Sequence, residues 1–213
     1  MKILRHQPIT RRELLDALEQ TRLRGHGQPL LYRHATLSLE SALDPDRLVP
    51  AQNYVLKEDF QRIEALYRMF SAQGIDIFAL DGGLRFWLRD PETGDEEGPI
   101  PLIPPVVEES LEPGGQTVWL INDGMHRVHA AKRLGKKINI VLARNVPPEY
   151  PYYAYAHSAG WHSVEELDEL PDGYIKKKYR DPENYKALFR DFNAVFPGIQ
   201  KQRKKTNPVG LRA

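Results

Sequence analysis

Asp123, His126 and Arg127 put a carboxylate, an imidazole and a guanidinium into one short stretch, Asp123-Gly124-Met125-His126-Arg127. A carboxylate and an imidazole can move protons, and a guanidinium can hold a phosphate through two parallel hydrogen bonds. The mostly apolar run 118–121 precedes them and reads as a strand. Helical spacing follows at once, with Val128, Ala130, Ala131 and Leu134 on one face and Gly135 as the stop. The stretch therefore predicts a strand handing over to a helix start. Unpaired backbone N–H groups and the positive end of the helix dipole favour an anion there. A plainer role fits the same letters, because Asp-Gly is a common turn and Asp before a helix a common N-cap.

The elements that must hold this turn are legible around it. Residues 138–143 form a second apolar run, the next strand. Residues 59–73 carry Phe60, Ile63, Leu66, Tyr67 and Phe70 on one helical face, with Gly74 as the stop and Glu58 at the start. Residues 75–80 and 84–88 flank Asp81-Gly82-Gly83, which predicts a hairpin. Pro101, Pro104 and Pro105 make 100–107 an edge strand at best. Near the start, Thr10-Arg11-Arg12-Glu13 has the form of a capping box and opens a helix that ends near Gly25. Residues 29–32 and 35–39 are candidate short strands.

The motif and its context resemble the ParB/sulfiredoxin superfamily, whose signature is Asp-Gly-X-His-Arg. The likeness covers roughly residues 99–147, with Pro105-Val106-Val107, the strand at 118–121, the motif, a helix and the strand at 138–143 in the family's order. It implies a mixed α/β (α+β) fold: a ParB/sulfiredoxin-like core sheet with flanking helices and, in this chain, an inserted hairpin. Members of the superfamily bind nucleotides with the phosphates at the start of the motif helix. The resemblance thus implies that Gly124, Met125, His126 and Arg127 bind phosphate. It makes Asp123 a general base or a ligand of Mg2+ shared with a nucleoside triphosphate or diphosphate, and His126 a donor to a phosphoryl oxygen. Related kinases use an acid from an upstream segment, which makes Glu58 a further catalytic candidate. Sulfiredoxin chemistry needs a cysteine in the motif, and this chain has Met125 there and no cysteine anywhere.

Composition limits the remaining choices. Hydrophobic residues at 41% and charged residues at 28% of 213 are those of a globular chain with a core. Without cysteine, disulfides, thiolate metal sites and cysteine nucleophiles are excluded. The net charge of +1 announces neither a polyanion nor a membrane as partner. No run is long enough to span a bilayer and the first residues lack a signal-peptide core, so a cytoplasmic location is expected.

Three segments are expected: an accessory segment 1–55, the core 56–170, and a basic helix and tail 171–213 packed on that core. In the core, residues 146–155 are dense in proline and tyrosine, either a packed crossover or an aromatic wall for a planar ligand. Ser163-Val164-Glu165-Glu166 reads as a capping box opening a short helix to Leu170. In the last segment, Asp181-Pro182-Glu183 opens a helix over 183–194 with Tyr185, Leu188, Phe189 and Phe192 on its apolar face. Lys176, Lys177, Lys178, Lys201, Arg203, Lys204 and Lys205 flank it as a patch that would attract phosphates.

Two functions compete. The favoured one is an enzyme transferring or hydrolysing a nucleotide phosphate, a small-molecule kinase or NTPase, with Mg2+ and nucleotide at the motif. The alternative is a nucleic-acid-binding protein or nuclease using the same fold and the basic patch. Among the roles the resemblance implies, the partition-protein one is weakened by the lack of a recognisable helix-turn-helix after the core.

Overall fold

The computed structural model describes residues 2–89 and 93–198. In chain order the elements are β1 (Lys2–Thr10), α1 (Arg11–Glu19), β2 (Thr36–Leu43), β3 (Leu48–Val49), β4 (Tyr54–Leu56) and α2 (Lys57–Ser71). Then follow β5 (Gly82–Arg89), β6 (Glu96–Leu102), β7 (Val106–Leu111), β8 (Thr117–Asp123), α3 (Met125–Arg133), β9 (Ile138–Arg144), β10 (Glu165–Leu167) and α4 (Phe192–Val195).

The central sheet has five strands in the order β2-β9-β7-β8-β3. In it β7 runs antiparallel to β8 and parallel to β9. Both strands expected beside the motif are there, with the motif helix α3 between them in the chain. A sheet covered on both faces needs strands that are apolar nearly throughout, and β9 meets this requirement. Ile138, Ile140 and Leu142 enter one core with Val107, Ile121, Phe70 and Val128, while Val141 and Ala143 enter another with Leu14, Leu18, Leu188 and Phe192. Asn139, the polar exception, is buried but bonded: its Nδ2 donates to the Leu80 carbonyl and its Oδ1 accepts from the Ala42 N–H.

The fold is mixed α/β, with helices flanking the central sheet. Helix α2 lies where its aromatic face predicts and packs Phe60, Ile63, Leu66 and Tyr67 against the first core. Thr10 and Glu13 form the capping box of α1, with Thr10 accepting from the Glu13 N–H and the Glu13 carboxylate accepting from the Thr10 N–H. That helix ends at Glu19, earlier than Gly25.

Several expectations are corrected. The inserted hairpin exists one element later: β5 pairs with β6 and, on its other edge, with β1. Residues 75–80 are irregular, because Ile77, Phe78 and Leu80 plug the first core while the Phe78 carbonyl accepts from the Asn139 N–H. Pro101 does sit on the edge strand β6, but Val106 and Val107 begin β7, which is central. Residues 163–170 do not form a helix. A 3-10 turn at Gly160–Ser163 leads into β10, parallel to β4, and the Glu166 carboxylate is drawn to His129 and Arg133 instead of a cap. The helix expected over 183–194 is broken into a 3-10 turn at Tyr185–Leu188 and α4. Phe189 between them is extended, with ψ of 130°, so that Arg190 can bridge to Leu23 and reach a buried carboxylate. Segment 1–55 supplies β2 and β3 of the central sheet.

Candidate functional site

Strand β8 delivers Asp123 at its end, Gly124 turns the chain, and α3 starts at Met125. Gly124, not Asp123, is the N-cap, with φ of 87°. A side chain there would also collide: a Cβ would lie 2.8 Å from Pro105 Cβ and 2.9 Å from the Arg127 guanidinium. Glycine is thus required for conformation and for close approach.

The three chemical groups of the motif part company. Arg127 turns inward and is buried. One Nη donates to the Ile103 carbonyl and the other to Asp123 Oδ2 at 2.9 Å. Burial pushes its pKa down and the Asp123 carboxylate pulls it partly back. The phosphate contact expected of Arg127 is not what its guanidinium makes here: it holds Asp123 and the link 103–105 between β6 and β7 to the turn. His126 is half-buried, and its Nε2 lies 3.6 Å from Asp59 Oδ2 on α2, near enough for charge attraction and too far for a hydrogen bond. Glu58 is not the upstream acid that meets the motif. It is exposed and paired with Arg62, while the next residue, Asp59, faces His126. Helical phase decides between the two, and the apolar face of α2 was the signal that could have found Asp59.

A cavity of 170 Å3 opens on this turn, walled by Asn122, Asp123, Met125 and His126 and by Gln52 and Lys177 from flanking segments. Two buried polar atoms of these walls, Asn122 Oδ1 and His126 Nε2, have no hydrogen-bond partner. Lys177, from the expected basic patch, reaches the cavity and also donates to the hydroxyls of Tyr152 and Tyr153. Lys178 is exposed and lies over Tyr155. Lys176 is half-buried nearby in the chain. Lys201, Arg203, Lys204 and Lys205 lie outside the described residues. Among the described residues, no group of three or more His, Asp or Glu could hold a metal ion. The Asp123 carboxylate, expected to hold Mg2+, is bonded to Arg127.

Beneath the cavity runs a polar network that sequence reasoning missed. Glu108 on β7 and Arg190 are fully buried and joined by two parallel bonds of 2.9 and 2.8 Å. The Tyr32 hydroxyl donates to Glu108 at 2.7 Å and accepts from Asn122 Nδ2 at 3.3 Å. The network thus joins the second core to the strand end that carries the motif. An acid inside Val106-Val107-Glu108 was the available signal, since a buried carboxylate demands a cation.

Burial also pushes the His129 pKa down, offset in part by Glu166, and burial pushes that of His126 down against Asp59 and Asp123. A folded value below the ordinary one, about 6.5, means that protonation opposes folding. The stability from these neutral rings is full above about pH 6.5 and is lost as pH falls from there through the lowered folded values. The melting temperature is expected to be lower near about pH 5 than near about pH 7.5. In His129→Gln that difference should shrink, as calorimetry at the two pH values would measure.

Against known proteins, a model of the ParB CE domain matches residues 13–165. No curated protein and no solved structure matches the chain. Modules of this family are typically DNA-binding and partitioning proteins, not enzymes acting on nucleotides. This overturns the favoured sequence expectation of a kinase or NTPase using ATP, and the inward-facing Arg127 agrees with the correction. No helix of the described residues is long and apolar enough to cross a membrane. With well over half of its residues matched, the chain belongs to the ParB CE domain family of the ParB/sulfiredoxin superfamily.

Proposed function

We propose that this protein is a DNA-binding module, and that binding, not turnover of a free nucleotide, is its activity. The observation that carries this reading is the ParB CE domain match over residues 13–165. The surface supports it. Lys176, Lys177 and Lys178 make no ion pair with a carboxylate among the described residues, whereas most arginines of the described chain do. Such unneutralised cations are what a phosphate backbone requires. The cavity at the turn offers Lys177 and the first N–H groups of α3, at Met125 and His126, which have no partner within the helix. These are the proposed phosphate contacts, with Gly124 allowing the approach. Asp123 and Arg127 hold the turn in shape and His126 stands at its rim.

Fluorescence anisotropy of a labelled duplex, titrated with the full chain at several salt concentrations, tests the proposal. Affinity should fall steeply with salt. Replacing Lys176, Lys177 and Lys178 together by Ala should weaken binding and flatten the log–log salt slope by about 2 to 3, since each lost phosphate contact removes about 0.9. An unchanged slope would reject this surface as the interface, and absence of binding at low salt would reject the function.

A further inference from the structure

We infer that the C-terminal segment binds an unpaired nucleic-acid strand by stacking a base on a ladder of aromatic rings; the inference rests on the nucleic-acid reading above. Tyr179 and Tyr185 are stacked with centroids 3.9 Å apart and planes 24° apart. Tyr153 continues the row, 6.3 Å from Tyr179 and tilted 27°. Phe189 closes it edge-on, 4.7 Å from Tyr153 and 5.6 Å from Tyr185. All four rings are only half-buried, although each is large enough to be a core residue. Cations accompany them. Lys177 Nζ lies 4.7 Å from the Tyr153 centroid and Lys186 Nζ 6.0 Å from that of Tyr185. Neither lysine is neutralised by a carboxylate among the described residues.

The 3.9 Å between Tyr179 and Tyr185 admits no base between them, so a base stacks on the end of the row, on Tyr185 beside Lys186, and the ammonium groups take phosphates, as in proteins that hold single strands. A duplex keeps its bases stacked inside and presents only phosphates and groove edges, so it leaves a row of rings unused. A proline-rich peptide could also lie on tyrosines, but it brings no negative charge to the lysines. The ladder is joined to the turn, since Tyr153 and Phe189 line a 120 Å3 cavity with Asn122, and Asn122 also lines the cavity at Asp123. A strand on the ladder would therefore lead to the motif.

Anisotropy with the full chain and three labelled probes of equal length tests this: an oligothymidylate, its abasic counterpart and a duplex. The oligothymidylate should bind about tenfold more tightly than the abasic strand, because one stacked base is worth about that factor. Tyr185→Ala should lower oligothymidylate affinity about tenfold and leave duplex affinity unchanged, whereas Tyr185→Phe should keep both. Equal binding of oligothymidylate and abasic strand overturns the inference without any variant having to fold. Duplex binding alone overturns it and leaves the DNA-binding proposal standing. Binding of none of the three overturns both.

Discussion

Arg190→Ala is expected to lower the unfolding free energy by about 3–5 kcal/mol, the usual cost of breaking a buried ion pair from one side. Arg190 and Glu108 have side-chain exposures of 1% and 3%, so water cannot take over for the missing partner. The guanidinium is fully used. Nε and one Nη grip Glu108, and the same Nη also donates to the Tyr150 carbonyl. The other Nη donates to the carbonyls of Pro151 and Leu188. Burial alone would push the Arg190 pKa down, but Glu108 and the neighbouring tyrosines outweigh it and hold the value above the ordinary one. Glu108→Gln should also destabilise, because Oε1 already accepts from Arg190 Nε and Tyr32. The amide nitrogen must then take the Oε2 position and face an Arg190 N–H. Urea unfolding followed by circular dichroism measures both variants. A loss under about 1 kcal/mol in Arg190→Ala would mean that the pair is not sealed from water.

The same residue explains why the last segment was misread. Tyr185, Leu188, Phe189 and Phe192 have helical spacing, and helical spacing is all that periodicity reports. What breaks the helix is Glu108, distant in sequence, whose need for a buried cation draws Arg190 into an extended backbone. The 163–170 stretch failed similarly, since Glu166 serves His129 and Arg133 rather than its own helix start. By contrast β8, α3, β9 and α2 were legible because their signals are local: apolar runs of strand length, a Gly-bounded helix and one aromatic face. At the site, the letters Asp-Gly-Met-His-Arg located the turn but not the direction of each side chain. Whether Arg127 faces out or in depends on the Ile103 carbonyl, and whether Glu58 or Asp59 meets His126 depends on how α2 is rotated against α3.

Arg127→Ala, on the sequence reading, should abolish binding of phosphate-bearing ligands. From the structure a different result is expected: a loss of stability of about 3 kcal/mol, with ligand binding falling only as far as the turn loosens. The variant strips the Ile103 carbonyl of a buried donor and leaves the Asp123 carboxylate without its cation. Asp123 keeps a side-chain exposure of 17%, so water can reach it in part, and the cost should sit at the low end of that for buried pairs, about 3 kcal/mol. Arg127→Lys separates shape from charge. A lysine carries one point charge on a single nitrogen and cannot span the Ile103 carbonyl and Asp123 as the fork does, so it should recover part of the stability and not all of it. Asp123→Asn should be milder than either, because its amide oxygen still accepts from Arg127. Urea unfolding of the three variants beside duplex titrations distinguishes the two roles. Wild-type stability in Arg127→Ala together with lost DNA binding would restore the guanidinium as a ligand contact and sink its role as the internal clamp of the turn.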